Sequence, residues 1–212
     1  MMPHTTPINI DASKLPASAF GEKAPLWWGN LLLILIETTT IALLVASYYY
    51  LRMNYDAWPP PKVDVYPVQY DPVPYLGVAT FNMLMLLGSC LPMYWTDMAA
   101  RRKEEFKTRM GLTFMFIVSV IGIVLSFFEL RDTRFWWNDN AYASIVWVTL
   151  CLHLTYILAG SLEFLVMGAW IWTHEIDDKH ALDVTLAGGY WYWVTGIGVI
   201  VYAVVFLSPR WV

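Results

Sequence analysis

The side chains best suited to moving a proton lie where the chain is least polar. Glu37 interrupts the run Leu31-Leu-Leu-Ile-Leu-Ile-Glu37-Thr-Thr-Thr-Ile-Ala-Leu-Leu-Val45. About ten residues of helix at roughly 1.5 Å each separate it from the Trp27–Trp28 pair, which places it near a bilayer midplane. An ionisable group at that depth is costly, so a functional or partner-contacting role is the expectation. Thr149, His153, Tyr156, Gly160 and Glu163 follow one another at steps of 4, 3, 4 and 3, which stacks them along one face of a helix. Ser119, Gly122, Ser126 and Glu129 repeat the pattern, Glu37, Thr40, Leu44 and Ser47 follow a similar line, and Asn82 and Ser89 stand seven apart. Carboxyls and an imidazole can exchange protons. Hydroxyls, amides and small residues bond and pack helices across a membrane interface, and bundle packing is the plainer reading of those members. Two readings of Glu37 stay open: a proton-linked or partner-contacting carboxyl, and a structural one hydrogen-bonded inside a bundle. For His153 the plainer alternative is a buried, satisfied histidine.

The same inventory excludes other chemistry. The four histidines are His4, His153, His174 and His180, and only His153 falls in an apolar run. Haem or copper at membrane depth needs paired histidines or a thiolate arrangement, so no metal or haem is expected on this chain alone. The segment His174-Glu-Ile-Asp-Asp-Lys-His180 matches no defined metal spacing and reads as a solvated charged loop. Cys90 and Cys151 lie in different apolar runs without CxxC spacing and read as packing residues. No nucleophile triad, phosphate loop or dinucleotide fingerprint appears.

Apolar blocks must position these residues. The 212 residues are 58% hydrophobic and 14% charged, in stretches too long for a soluble core, which defines a polytopic membrane protein. Five spans emerge, at about Trp28 to Leu51, Tyr75 to Trp95, Met110 to Phe128, Tyr142 to Ile171 and Leu186 to Leu207, each close to or above the roughly 20 residues a crossing needs. The predicted fold is an all-α bundle of five transmembrane helices, residues 27–212, preceded by an irregular cytoplasmic arm at 1–26 with Pro3, Pro7, Pro16 and Pro25. No cleavable signal is visible there, and the arm is expected to lie against a partner subunit. Lys14, Lys23, Arg101, Arg102, Lys103, Lys107, Arg109 and Lys179 fall on one side, against Arg52, Lys62, Arg131, Arg134 and Arg210 on the other. That asymmetry favours an inside N-terminus and an outside C-terminus. The connection from Arg52 to Pro74 holds six of the 12 prolines and should be stiff and extended. Tyr190-Trp-Tyr-Trp193, Trp136–Trp137 and Trp211 read as interfacial belts. The net charge of −4 has no like-sign block outside the Arg101–Arg109 loop, so nucleic acid is not a partner.

Taken in order, these segments resemble subunit III of the haem-copper oxidases. Trp28-Gly-Asn…Glu37…Ala46-Ser-Tyr-Tyr-Tyr-Leu-Arg52 is similar to that family's helix with a membrane glutamate and a terminal aromatic run. Asn82-Met-Leu-Met-Leu-Leu-Gly-Ser89, Gly111-Leu-Thr-Phe…Ser126-Phe-Phe-Glu129, Ala141-Tyr-Ala-Ser-Ile-Val146…His153…Gly160 and Tyr190-Trp-Tyr-Trp-Val-Thr195 follow in family order, over about residues 27–208. The family's HGxHV keeps its first histidine as His153, with Leu154 for the glycine and Tyr156 for the second histidine. Its YWHFVD has Tyr192 for the histidine and Thr195 for the aspartate. The chain thus resembles a divergent five-helix member without the family's two extra N-terminal helices.

The resemblance implies a V-shaped bundle with a phospholipid-filled cleft, no metal of its own, and packing on a catalytic oxidase subunit I that holds haem and copper, among other respiratory-complex subunits. It implies a supporting role in proton uptake and turnover stability, in a bacterial cytoplasmic (inner) membrane. The candidate residues are Glu37, Glu129, His153, Tyr156 and Glu163 as proton-linked or structural polar groups, and Trp28, Gly160, Trp191 and Trp193 as lipid or cleft packing; none is expected to be catalytic. Two other readings are an accessory protein of a nitric oxide reductase, which the altered motifs permit, and a proton-coupled transporter using Glu37 and Glu163. The transporter reading is weakened by the lack of an internal repeat.

Overall fold

The computed structural model describes residues 24–60 and 73–211; the N-terminal arm, apart from 24–26, and positions 61–72 of the proline-rich connection lie outside them. In lipid every backbone polar group must find an internal partner, so apolar runs of this length close into helices. Five follow: α1 (Pro25–Arg52), α2 (Gly77–Arg101), α3 (Glu105–Arg131), α4 (Ala141–Thr173) and α5 (Asp178–Tyr202). The last continues through a π turn, Ala203–Leu207, into a 3₁₀ turn, Ser208–Arg210. No strand occurs among the described residues. All five are long and apolar enough to cross a membrane.

Polar residues set the helix ends, and these lie outside the apolar runs. Pro25 opens α1, where its missing N–H costs nothing. Asn140 caps α4 by accepting from the Ala143 amide at 2.8 Å, and Asp177 caps α5 by accepting from the His180 amide at 2.8 Å. The second cap corrects two sequence expectations. Asp178, Lys179 and His180 form the first turn of α5 rather than a solvated loop, and α5 begins eight residues before the apolar span starting at Leu186. Hydropathy registers apolar composition, whereas the cap determines where intrahelical bonding begins.

Helices α2, α3, α4 and α5 pack as a closed unit in which α2 touches α3 and α5, and α4 touches α3 and α5. Close approach of α2 and α3 rests on Gly111, where an added Cβ would lie 2.2 Å from Thr96 Oγ1. Helix α1 packs chiefly against α4 and α5, and only 11% of its most apolar window is buried, against 56% for α5. Its C-terminal end is pinned by Tyr48, whose fully buried ring meets Trp58 edge-on at 5.1 Å and lies 6.3 Å from Tyr142. The Tyr48 hydroxyl accepts from Trp58 Nε1 at 3.0 Å and shares a proton with Ser208 Oγ at 3.3 Å. The remainder of α1 presents leucines and isoleucines outward, including Leu31, Leu32, Leu35, Ile36 and Leu43.

Candidate functional site

Glu37 turns towards α4 and α5. Its Oε1 accepts from the Tyr190 hydroxyl at 3.3 Å, and its backbone carbonyl accepts from the Tyr156 hydroxyl at 3.3 Å. One residue on, Thr38 Oγ1 accepts from Trp193 Nε1 at 2.8 Å, and the Trp193 ring packs on Tyr156 and Tyr190 at 5.1 and 5.6 Å. The other carboxylate oxygen, Oε2, is buried without a partner among the described residues. Glu163, half-buried on α4, lies on the same side of the bundle, close enough to Glu37 for the two carboxyls to interact. Below it a cavity of about 520 Å³ separates the first half of α1 from α4 and α5, lined by leucines together with Asn30, Glu163 and Asp183. Asn30 spans its rim by donating to the Leu186 carbonyl at 3.1 Å.

Glu129 belongs to a second group. It is buried on α3, and its Oε1 accepts from Asn82 Nδ2 of α2 at 2.8 Å. The same Asn82 nitrogen lies 3.2 Å from Ser126 Oγ, whose own proton goes to the Gly122 carbonyl at 2.9 Å. His153 is buried on α4, its Nε2 3.2 Å from the Val194 carbonyl of α5. A carbonyl can only accept, so Nε2 carries the proton. Gly198 gives the ring its room, since a Cβ there would meet Cε1 and Nε2 at 3.0 Å.

The single stripe predicted on α4 therefore divides between two sites, with His153 beside Glu129 and Tyr156 and Glu163 beside Glu37. Spacing of 3.5 residues drifts by about 20° per heptad on a straight helix, so Thr149 and Glu163, two heptads apart, differ by about 40°. Hydroxyls on α1 also depart from expectation. Those of Thr38, Thr39, Thr40 and Ser47 return to carbonyls four residues back in α1 instead of donating across helices.

Tyr190 and Trp191 are not an interfacial belt. They lie about 18 Å along α5 from its start at Asp178, and both are fully buried. Trp191 donates from Nε1 to Ser89 Oγ at 2.8 Å, meets Phe164 at 5.2 Å, and fills the space above Gly160, where a Cβ would stand 3.1 Å from its ring. Its packing is thus with protein rather than with lipid. Trp28 is exposed near the start of α1, edge-on to Trp27 at 5.1 Å. Sequence reasoning missed Tyr190 and Asn82 as partners of the carboxyls. The signal for Asn82 was present, since an amide inside an apolar run must find a partner on another helix.

A haem pair or a copper ion requires converging nitrogen or sulfur ligands. His153 commits Nε2 to Val194, and no group of three or more His, Cys, Asp or Glu side chains is arranged to hold a metal among the described residues.

Residues 15–210 match the profile of the family described as cytochrome c oxidase subunit III. The chain belongs to that family. It is 24% identical over 154 residues to the cytochrome c oxidase subunit 3 of Myxine glutinosa, covering 73% of this chain and 55% of that one. The subunit 3 of Triticum aestivum matches at 24% over 154 residues, covering 73% of this chain and 54% of the relative. The subunit 3 of Thermostichus vulcanus matches at 25% over 168 residues, covering 76% of each. The chain spans about half the length of the first two relatives. Family membership and five apolar helices together make it a multi-pass membrane protein.

Proposed function

We propose that the chain is a non-catalytic subunit III of a respiratory haem-copper terminal oxidase, the assembly that reduces oxygen to water and pumps protons. The observation that carries this reading is the family match over residues 15–210, which runs through all five helices. The chain sits in a bacterial cytoplasmic membrane with its N-terminus inside, and haem and copper belong to a catalytic subunit I beside it. Two features of the fold support a partner. Helix α1 leaves most of its apolar surface outside the bundle, and Glu37 is held at that helix's inner face by tyrosines of α4 and α5. The cavity behind α1 suits a phospholipid chain along its leucines, with Asn30, Glu163 and Asp183 at its polar positions. Glu37 supports the partner's proton uptake or the order of lipid and bundle around it.

The test is purification of the tagged full chain from its native membrane in mild detergent. Co-purification of a haem- and copper-containing chain with oxygen-consuming activity is the expected result. Recovery of the chain without haem, or with a haem assembly that reduces nitric oxide and not oxygen, overturns it. Within the purified oxidase, Glu37→Ala should shorten turnover lifetime or slow proton uptake. Unchanged activity, lifetime and subunit retention would mark Glu37 as a tolerated polar residue.

A further inference from the structure

Where α3 ends and α4 begins, the bundle carries a groove separate from the cavity behind α1. Its volume is about 430 Å³, within the range of ordinary ligand sites. Phe127 and Leu130 line it from the last turns of α3, and Trp147 from the second turn of α4. Arg131 closes α3, and Arg134 and Trp136 follow in the connection to α4. One half of the groove is therefore at hydrocarbon depth, and the other is where the apolar runs stop. Trp136 and Trp137 are exposed there, as aromatic residues at a membrane–water boundary are. The walls are fixed: Trp147 donates from Nε1 to the Phe135 carbonyl at 3.0 Å and stacks on Trp136 at 5.8 Å. Charge in the groove has one sign. Its two ionised side chains are guanidiniums, and no carboxylate lines it among the described residues. The Asp139 carboxylate nearby accepts from the Trp136 amide at 2.7 Å. Arg134 lies over the Tyr75 ring, its Cζ 3.5 Å from the ring centre. Arg131 is exposed and pairs with no carboxylate among the described residues, whereas Arg101, Lys103, Lys107 and Arg109 at the opposite end of α3 each do.

We propose that this groove binds one anionic phospholipid of the surrounding bilayer, its phosphate at Arg131 and Arg134 and an acyl chain along Phe127, Leu130 and Trp147. Three observations select that occupant. The guanidinium fork matches phosphate oxygens, and basic pockets between membrane helices attract anionic headgroups. The apolar half of the groove calls for hydrocarbon, which a free inorganic anion does not bring. A choline headgroup would set a third cation beside two guanidiniums with no lining carboxylate to receive it, so a lipid of net negative charge is preferred. The inference needs only that the helices cross a bilayer, and it stands apart from the identity of the partner subunit.

Photo-crosslinking in the intact native assembly, reconstituted into phosphatidylcholine nanodiscs, tests the proposal. Phosphatidylglycerol and phosphatidylcholine probes carry the same diazirine-bearing acyl chain, and mass spectrometry locates the labelled residues. The phosphatidylglycerol probe should label residues 127–147 at least about fivefold more than the phosphatidylcholine probe, as expected for about 1 kcal/mol per basic residue. Arg131→Gln should reduce that preference and Arg131→Lys should keep most of it. Arg52→Gln, which removes a cation at the same end of the bundle outside the groove, should leave it unchanged. Equal labelling by the two probes marks ordinary lipid contact and overturns the proposal. So does a preference that survives Arg131→Gln, one that millimolar inorganic phosphate abolishes, or a groove that neither probe labels because a partner polypeptide covers it. Should a variant fail to assemble, the wild-type comparison of the two probes decides the matter.

Discussion

Replacing Asn82 with leucine should destabilise the bundle more than Tyr190→Phe does. The amide joins α2 to α3 through a 2.8 Å bond to the buried Glu129 carboxyl and a 3.2 Å bond to Ser126 Oγ. Leucine fills similar space but leaves the carboxyl facing hydrocarbon. Hydrogen bonds to charged groups are worth about 1.5–3 kcal/mol, while interhelical polar bonds in membranes average about 0.6 and reach about 1.7 kcal/mol, because the unfolded helices also find partners. Burial of Glu129 puts the expected loss near the top of that membrane range. A loss of about 1.5 kcal/mol is roughly a tenfold shift in the folding equilibrium. Tyr190→Phe provides the contrast, because its bond to Glu37 is 3.3 Å long, beyond the usual O–H···O range, and should cost less than about 1 kcal/mol. Equilibrium unfolding of the full chain in bicelles titrated with SDS measures both. A double-mutant cycle of Asn82→Leu with Glu129→Leu should return a coupling of at least about 0.5 kcal/mol. The reasoning fails if Tyr190→Phe costs as much as Asn82→Leu, or if the cycle shows no coupling.

Three further outcomes are expected. Gly111→Ala should weaken the α2–α3 contact, since its Cβ would overlap Thr96 Oγ1; adding Thr96→Ala should recover part of that loss in the same unfolding assay, because the Cβ of residue 96 would still stand 2.9 Å away, and a neutral single variant would refute the overlap. The His180 backbone N–H, and then the His180 side chain, hold the Asp177 carboxyl below the usual carboxylate range. A depressed carboxyl contributes stability that is complete above its unfolded-state pKa and lost as pH falls through the folded-state value. Protection of the His180 amide, corrected for intrinsic exchange, should therefore drop in acid, and Asp177→Ala should remove that dependence; the exposed position keeps the effect small. Freed of partner subunits, the purified chain should show no Soret absorbance, and a stoichiometric Soret band would refute the reading of its histidines.

Much of the fold is legible from composition, because lipid offers the backbone no partner and an apolar run of sufficient length has one stable conformation. Five runs therefore specify five helices. Their limits are less legible, as α5 shows: Asp177 starts it among charged residues that hydropathy assigns to a loop, and this shift moves Tyr190 and Trp191 from an expected interface to the interior. Glu37, Glu129, His153 and Glu163 are visible as anomalies from their cost alone. Their partners are not, since any hydroxyl or amide at membrane depth is a candidate until the helices are placed.

The sequence by itself determined that this is an all-helical membrane chain of the cytochrome c oxidase subunit III family, because hydropathy and motif order are properties of the chain read in one dimension. Only the tertiary structure decided that its polar residues form two groups. Glu37 meets Tyr156 and Tyr190 at one, while Asn82 joins Glu129 near His153 and the unpartnered Thr195 at the other. Helical periodicity fixes which residues share a face, but which neighbour that face meets depends on how five rods pack, and α4 meets α1, α3 and α5 at once.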